Sequence, residues 1–166
     1  MQMSHSMTEP KEVLIMMIIM FIAGLFSSMN NWVDKISDIQ FHLNDVYMSF
    51  LMCGWSLILM GIYYIHLPIL MIGIVFTGII LYCIRTQLFI NETQYVKGMI
   101  PHHSMAVLMS KKLLEKDKQK EKETIKNKHS QSRLIPTLKR LAHSIIDSQN
   151  DEINVMKSAL YYKHIM

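Results

Sequence analysis

The sequence predicts an all-α chain: three transmembrane helices followed by a C-terminal amphipathic helical hairpin. Three observations predict it. Residues 13–84 are mostly apolar and carry only Asp34, Lys35, Asp38 and Asp45 as charges. Of the 17 Lys and Arg residues, all but Lys11 and Lys35 come after residue 84, so the formal net charge of +4 describes the tail and not the whole molecule. In the tail, apolar residues recur at three- and four-residue intervals, the period of a helix with one buried face. At 166 residues and 51% hydrophobic, the chain has room for one compact domain or a small membrane protein.

Residues 1–12 form a short polar N-terminal tail. His5 between Met3 and Met7 has ligand chemistry, but a frayed terminus accounts for it. Residues 13–29 are the first predicted span, at the short end of what crosses a bilayer. Its flank (Glu9, Lys11, Glu12) lacks the positive charge of a cleaved signal, and its apolar run is longer than a signal's. Residues 30–45 are polar, with Trp32 where an interfacial anchor sits. The second span is 46–65, with Tyr47, Tyr63 and Tyr64 at its ends, and the third is 69–84. His66-Leu67-Pro68 alone separates them, so they form a hairpin, with Gly54, Gly61, Gly73 and Gly78 available for close helix approach. The membrane domain is thus 13–85. Cys53 and Cys83 lie in apolar runs and give neither a disulfide framework nor a metal-type spacing.

Residues 86–166 form the helical hairpin domain. Asn91-Glu92-Thr93 fits the glycosylation pattern, but its closeness to the last span argues against its use. A charged insert at about 116–132, ending in a loop from Asn127 to Ser132, is predicted to be solvated and mobile, with Ile125 as its single apolar anchor. It is basic but has no interleaved aromatic residues, so nucleic acid is not an expected partner. From Pro136 to about Tyr162, Leu138, Leu141, Ala142, Ile145, Ile146, Ile153 and Met156 mark one face of a final helix.

The stretch with chemistry is Met99-Ile100-Pro101-His102-His103-Ser104-Met105. On a helix, Met99 lies one turn before both histidines. Imidazole with thioether is a soft donor set that suits Cu(I). The plain alternative is that methionines fill a core, since the chain has 16 of them. Pro101 predicts a kink or a fresh helix start, and successive residues point about 100° apart, so only one histidine can face the last helix squarely. His103 is the expected main ligand, with His102 a second ligand or an orienting neighbour. Gln149 interrupts the apolar stripe of the last helix, and Glu152 and Met156 are one turn apart beside it. Met156 is expected to approach as a ligand, with Gln149 or Glu152 holding an imidazole nitrogen from behind.

Two blocks resemble a known family, the domain of unknown function 305. The first is Gln94-Tyr95-Val96-Lys97-Gly98-Met99-Ile100-Pro101-His102-His103-Ser104 with Ala106. The second is Leu141-Ala142, Ile145-Ile146, Ser148-Gln149, Glu152-Ile153 and Met156. More loosely, Asn44-Asp45-Val46-Tyr47-Met48 and Arg85-Thr86-Gln87 look like its membrane-anchored members. The resemblance implies a ferritin-like arrangement in which the hairpin is half of a four-helix bundle, and some members are associated with copper. It carries Met99, His102, His103, Gln149, Glu152 and Met156 over as candidate residues. The 116–132 segment is longer than the family's usual connection. With one motif pair in the chain, a homodimer would complete the bundle, unless the motif helices pack on the membrane part.

Two functions follow. One is a multi-pass membrane protein that binds copper, as Cu(I), for sequestration or transfer. The other is a structural or partner-binding membrane protein with no metal. A di-iron oxidase is disfavoured because no Glu-x-x-His occurs, and no nucleophile elbow is present, so no enzymatic activity is expected. Three spans put the N-terminus and the tail on opposite sides of the bilayer. Lys35, Arg85 and Lys97 against Lys11 favour a cytoplasmic tail, while the family's copper association points outward, so orientation and membrane stay open.

Overall fold

The computed structural model describes residues 9–127 and 135–165. The predicted tail (1–12) with His5, and the loop from Asn127 to Ser132, lie largely outside them. Among the described residues there are five α-helices and no strand: α1 (Pro10–Phe26), α2 (Leu43–Tyr63), α3 (Leu67–Thr86), α4 (Glu92–Asn127) and α5 (Pro136–Ile165). Short 3-10 turns occupy Met29–Trp32 and Ile36–Asp38 between α1 and α2. The chain divides into two compact units, one of residues up to Asn31 with Phe41–Tyr95, the other of Trp32–Gln40 with residues from Val96 onward.

In the first unit, α2 packs on both α1 and α3. All three helices are long and apolar enough to cross a membrane. The helices begin two or three residues before the sequence-predicted spans; in α1 and α3 the first turn takes in Pro10 and Pro68, where a missing N–H costs nothing. Glycine sets the spacing of α2 and α3. A Cβ on Gly61 would lie 2.5 Å from the backbone nitrogen of Leu70, and one on Gly73 2.8 Å from that of Ile58. Gly54 faces Thr77 in the same way, and Gly24 brings α1 onto Ser49. Gly78 meets nothing and plays no such part. Phe50 stacks between Phe21 and Phe76, with centroids 4.6 and 6.1 Å away, so one aromatic side chain touches all three helices.

The turn between α2 and α3 holds Ile65 at φ 52°, a left-handed conformation that a β-branched residue adopts only under constraint. The constraint is visible. The amides of Tyr64 and His66 bond back to Met60 and Gly61, and the His66 ring accepts from the Ile69 amide. On the other side, Gln94 caps α2 by accepting from the Leu43 amide at 2.8 Å, and Tyr47 donates to the Leu88 carbonyl at 2.6 Å. Asn91 accepts from the Gln94 amide at 3.0 Å, so the asparagine of the glycosylation pattern serves as the N-cap of α4. His42 and Asp45 are buried at the start of α2, their side chains 3.5 Å apart.

In the second unit, α4 and α5 are joined by His103 to Glu152 at one level and Asp117 to Lys139 at another. Moving fourteen residues forward along α4, from 103 to 117, moves thirteen back along α5, from 152 to 139; the helices therefore run antiparallel. Ile100, His103, Val107, Ser110, Leu114 and Asp117 are all buried, at alternating steps of three and four. Lys139, Ala142, Ile146, Gln149, Ile153, Met156 and Leu160 have the same spacing on α5, and none is exposed. That spacing is the seam of a two-helix coil.

Two expectations change here. α4 is unbroken through Pro101, which is fully buried within it, so the proline does not start a new helix. The Lys97 carbonyl goes without its usual donor, and the turns on either side keep the helix together. The charged segment from Lys116 is likewise helical to Asn127. Its start is anchored, since Asp117 is buried on the seam and bonded to Lys139. Residues 32–40, read from sequence as a polar connection between spans, group with α4 and α5.

Candidate metal centre

The seam positions the candidate side chains. His103 is 8% exposed and both of its ring nitrogens are engaged. Nδ1 lies 2.7 Å from the Met99 carbonyl one turn back, and Nε2 lies 2.7 Å from Oε2 of Glu152 across the pair. A carbonyl only accepts, so Nδ1 carries a hydrogen and Nε2 is the nitrogen presented to the facing helix.

The register places the other residues. On the two seams, His103 is level with Ile153, Ile100 with Met156, and Val107 with Gln149. Met99 and Glu152 each stand beside the seam, one turn from His103 and Met156 respectively. The structure brings His103 and Glu152 into contact, and it leaves Met99 and Met156 half-buried. It does not bond Gln149 to either histidine; Gln149 is half-buried one rung along. His102 is exposed, its ring centroid 6.0 Å from that of His103 and nearly perpendicular to it. Among the described residues, no group of three or more His, Cys, Asp or Glu side chains is disposed to hold an ion.

Sequence reasoning missed the polar cluster beside this pair. Asp38 is 2% exposed. It accepts from Ser104 Oγ of α4 at 2.5 Å and pairs with Lys157 Nζ of α5 at 2.5 Å. Ser104, fully buried, accepts in turn from the Asp34 amide at 2.8 Å, and Asp34 pairs with Lys111 at 2.6 Å. Burial pushes the Asp38 carboxyl up. Hydrogen bonds from Lys157, Ser104 and Ser37 and the charge of Lys157 outweigh it, leaving the group below the usual aspartate range. One signal was present in sequence: three of the four charges in the apolar half, Asp34, Lys35 and Asp38, fall within five residues of each other.

These features define an all-helical protein with three helices able to cross a membrane and an antiparallel pair clasped by a buried histidine and a carboxylate. A family model described as domain of unknown function (DUF305) matches residues 91–160, the part that holds the pair. An uncharacterised protein of Acanthamoeba polyphaga mimivirus is 44% identical over 153 residues, covering 89% of this chain and 90% of the viral one. Residues 91–160 thus carry this family's domain, and nearly the whole chain is related to the viral protein. No solved structure matches it.

Proposed function

We propose that this is a multi-pass membrane protein whose α4–α5 hairpin binds copper, as Cu(I), for sequestration or transfer, and that it is not an enzyme. The observation that supports the reading is the buried imidazole of His103 turned toward α5, where it meets Glu152; on the seam register Met99 and Met156 would fall one rung away. Nε2 of His103 would be the nitrogen ligand, with Met99 and Met156 as soft donors and His102 able to join from the exposed side. Glu152, half-exposed, would leave Nε2 when metal arrives; Gln149 would support from the next rung. With two thioethers and no thiolate, the donors suit Cu(I) better than Zn(II). The bilayer is the first partner. A second copy would complete a ferritin-like four-helix bundle, covering exposed Leu141, Val155 and Tyr162 of α5.

A second reading has its own support. Both nitrogens of His103 are already occupied, which is how an interhelix lock without metal would look. Competition titration of Cu(I) into the full chain in detergent separates the two. The copper reading expects wild type to bind at least about tenfold tighter than a His103→Ala/Met156→Ala double variant, the loss of roughly 1.4 kcal/mol of coordination. Equal affinities would end the copper reading and leave the lock.

A further inference from the structure

We propose that Asp38, from the loop between α1 and α2, is the positioning residue for His103, a third element of the site that lies outside residues 91–160 matched by the family model. Its carboxylate touches one residue on each helix of the pair, and each is the sequence neighbour of a site residue: Ser104 beside His103, and Lys157 beside Met156. Neighbours on a helix are about 100° apart around its axis. Holding Ser104 and Lys157 against one carboxylate therefore fixes the rotation of both helices, and with it the direction in which His103 and Glu152 face.

Stability alone is a poor reason to bury this group. Desolvating a carboxylate and an ammonium costs about what their attraction returns, and the best-attested use of such buried pairs is to fix register. The contacts are also fully matched. Oδ2 of Asp38 takes the Ser104 hydroxyl, Oδ1 takes Lys157, and Lys157 also donates to Ser37 at 3.1 Å in the same loop. Ser104 Oγ also accepts from the Asp34 amide. The loop thus grips α4 and α5 through one carboxylate, while the Asp34–Lys111 pair two turns further along α4 grips α4 alone.

The test reads the His103 ring directly. In the copper-free full chain in detergent micelles, nitrogen NMR follows the two ring nitrogens of His103 in wild type, Asp38→Asn, Lys157→Met and Asp34→Asn. Asp38→Asn and Lys157→Met are expected to shift the Nε2 signal as the Glu152 contact loosens, with helix content unchanged; Asp34→Asn leaves it in place. If Asp38→Asn fails to fold, Lys157→Met decides alone. An unmoved ring in the folded variants, or an equal shift in Asp34→Asn, overturns the proposal. A second arm rests on the copper reading: Asp38→Asn should bind Cu(I) about tenfold more weakly. Unchanged affinity in a protein that does bind copper also overturns the positioning role. A wild type that binds no copper sinks only the copper reading, and the ring result still stands.

Discussion

His103 and Glu152 form an asymmetric pair: their atoms are 2.7 Å apart, yet the histidine side chain is 10% exposed and the glutamate 53%. The buried member is held by a second bond to its own helix, whereas the outer member is free to swing into water. Such a contact fixes the ring on α4 but is cheap to open from the α5 side. A site that must admit something to Nε2 needs that combination.

Removing the outer member should therefore loosen α5 locally without unfolding the pair. Glu152→Ala gives up one partly exposed charged hydrogen bond, worth about 1 kcal/mol. Amide exchange in α5 around Ile153 should quicken about fivefold, while amides near Lys139 keep their protection. Exchange unchanged throughout α5 would show that the contact does not hold the helix.

Copper at Nε2 would need the lone pair of that nitrogen, and only an imidazole unprotonated there can ligate. Affinity should therefore fall as pH is lowered. A Cu(I) affinity independent of pH would place any copper elsewhere.

The sequence showed the period of every helix, because apolar spacing is local, and it picked out His103 and Glu152 as members of one site. It did not show how α4 and α5 are registered, since register depends on two cross-helix bonds far apart in the chain. Asp38 was hidden for a similar reason. A charge between two apolar runs looks like solvated loop until its partners, 66 and 119 residues away, are known. Past Lys116 the alternating charges read as a solvated face; that Asp117 turns inward from it to Lys139 was not legible in them.

The α2–α3 contact gives a paired test. Gly61→Ala puts a methyl against backbone that cannot move aside, and should destabilise by about 1–3 kcal/mol. Gly78→Ala enters open space and should be neutral or slightly stabilising, by up to about 1 kcal/mol from helix propensity. Unfolding midpoints in detergent read both, and equal effects would contradict the close approach.

His42 predicts a pH dependence in the first unit. Burial pushes its imidazole below the ordinary range, and the Asp45 charge offsets only part of this. Neither ring nitrogen has a hydrogen-bond partner among the described residues. Below about pH 6.5 the unfolded chain takes up a proton that the folded one resists, so this contribution is whole above that pH and declines as pH falls below it. His42→Leu loses no hydrogen bond and should flatten the slope. Midpoints at about pH 8 and about pH 5.5 should differ less in the variant than in wild type; an equal slope would assign the effect to other groups.

The last prediction concerns sidedness. The loop of Asp34 and Asp38 is bonded to Ser104, Lys111 and Lys157, so loop and helical pair lie on the same side of any membrane the protein occupies. The chain between them must then cross an even number of times, and α2 and α3 supply two crossings. The turn at Ile65, 92% exposed, falls at the far end of both. Single cysteines at Ile36 and Tyr162, both exposed, should react with an impermeant maleimide from one face of sealed vesicles, in a background lacking Cys53 and Cys83. A cysteine at Ile65 should react only from the other face. Labelling of Ile36 and Tyr162 from opposite faces would break the parity and, with it, the assignment of α2 and α3 as a spanning hairpin.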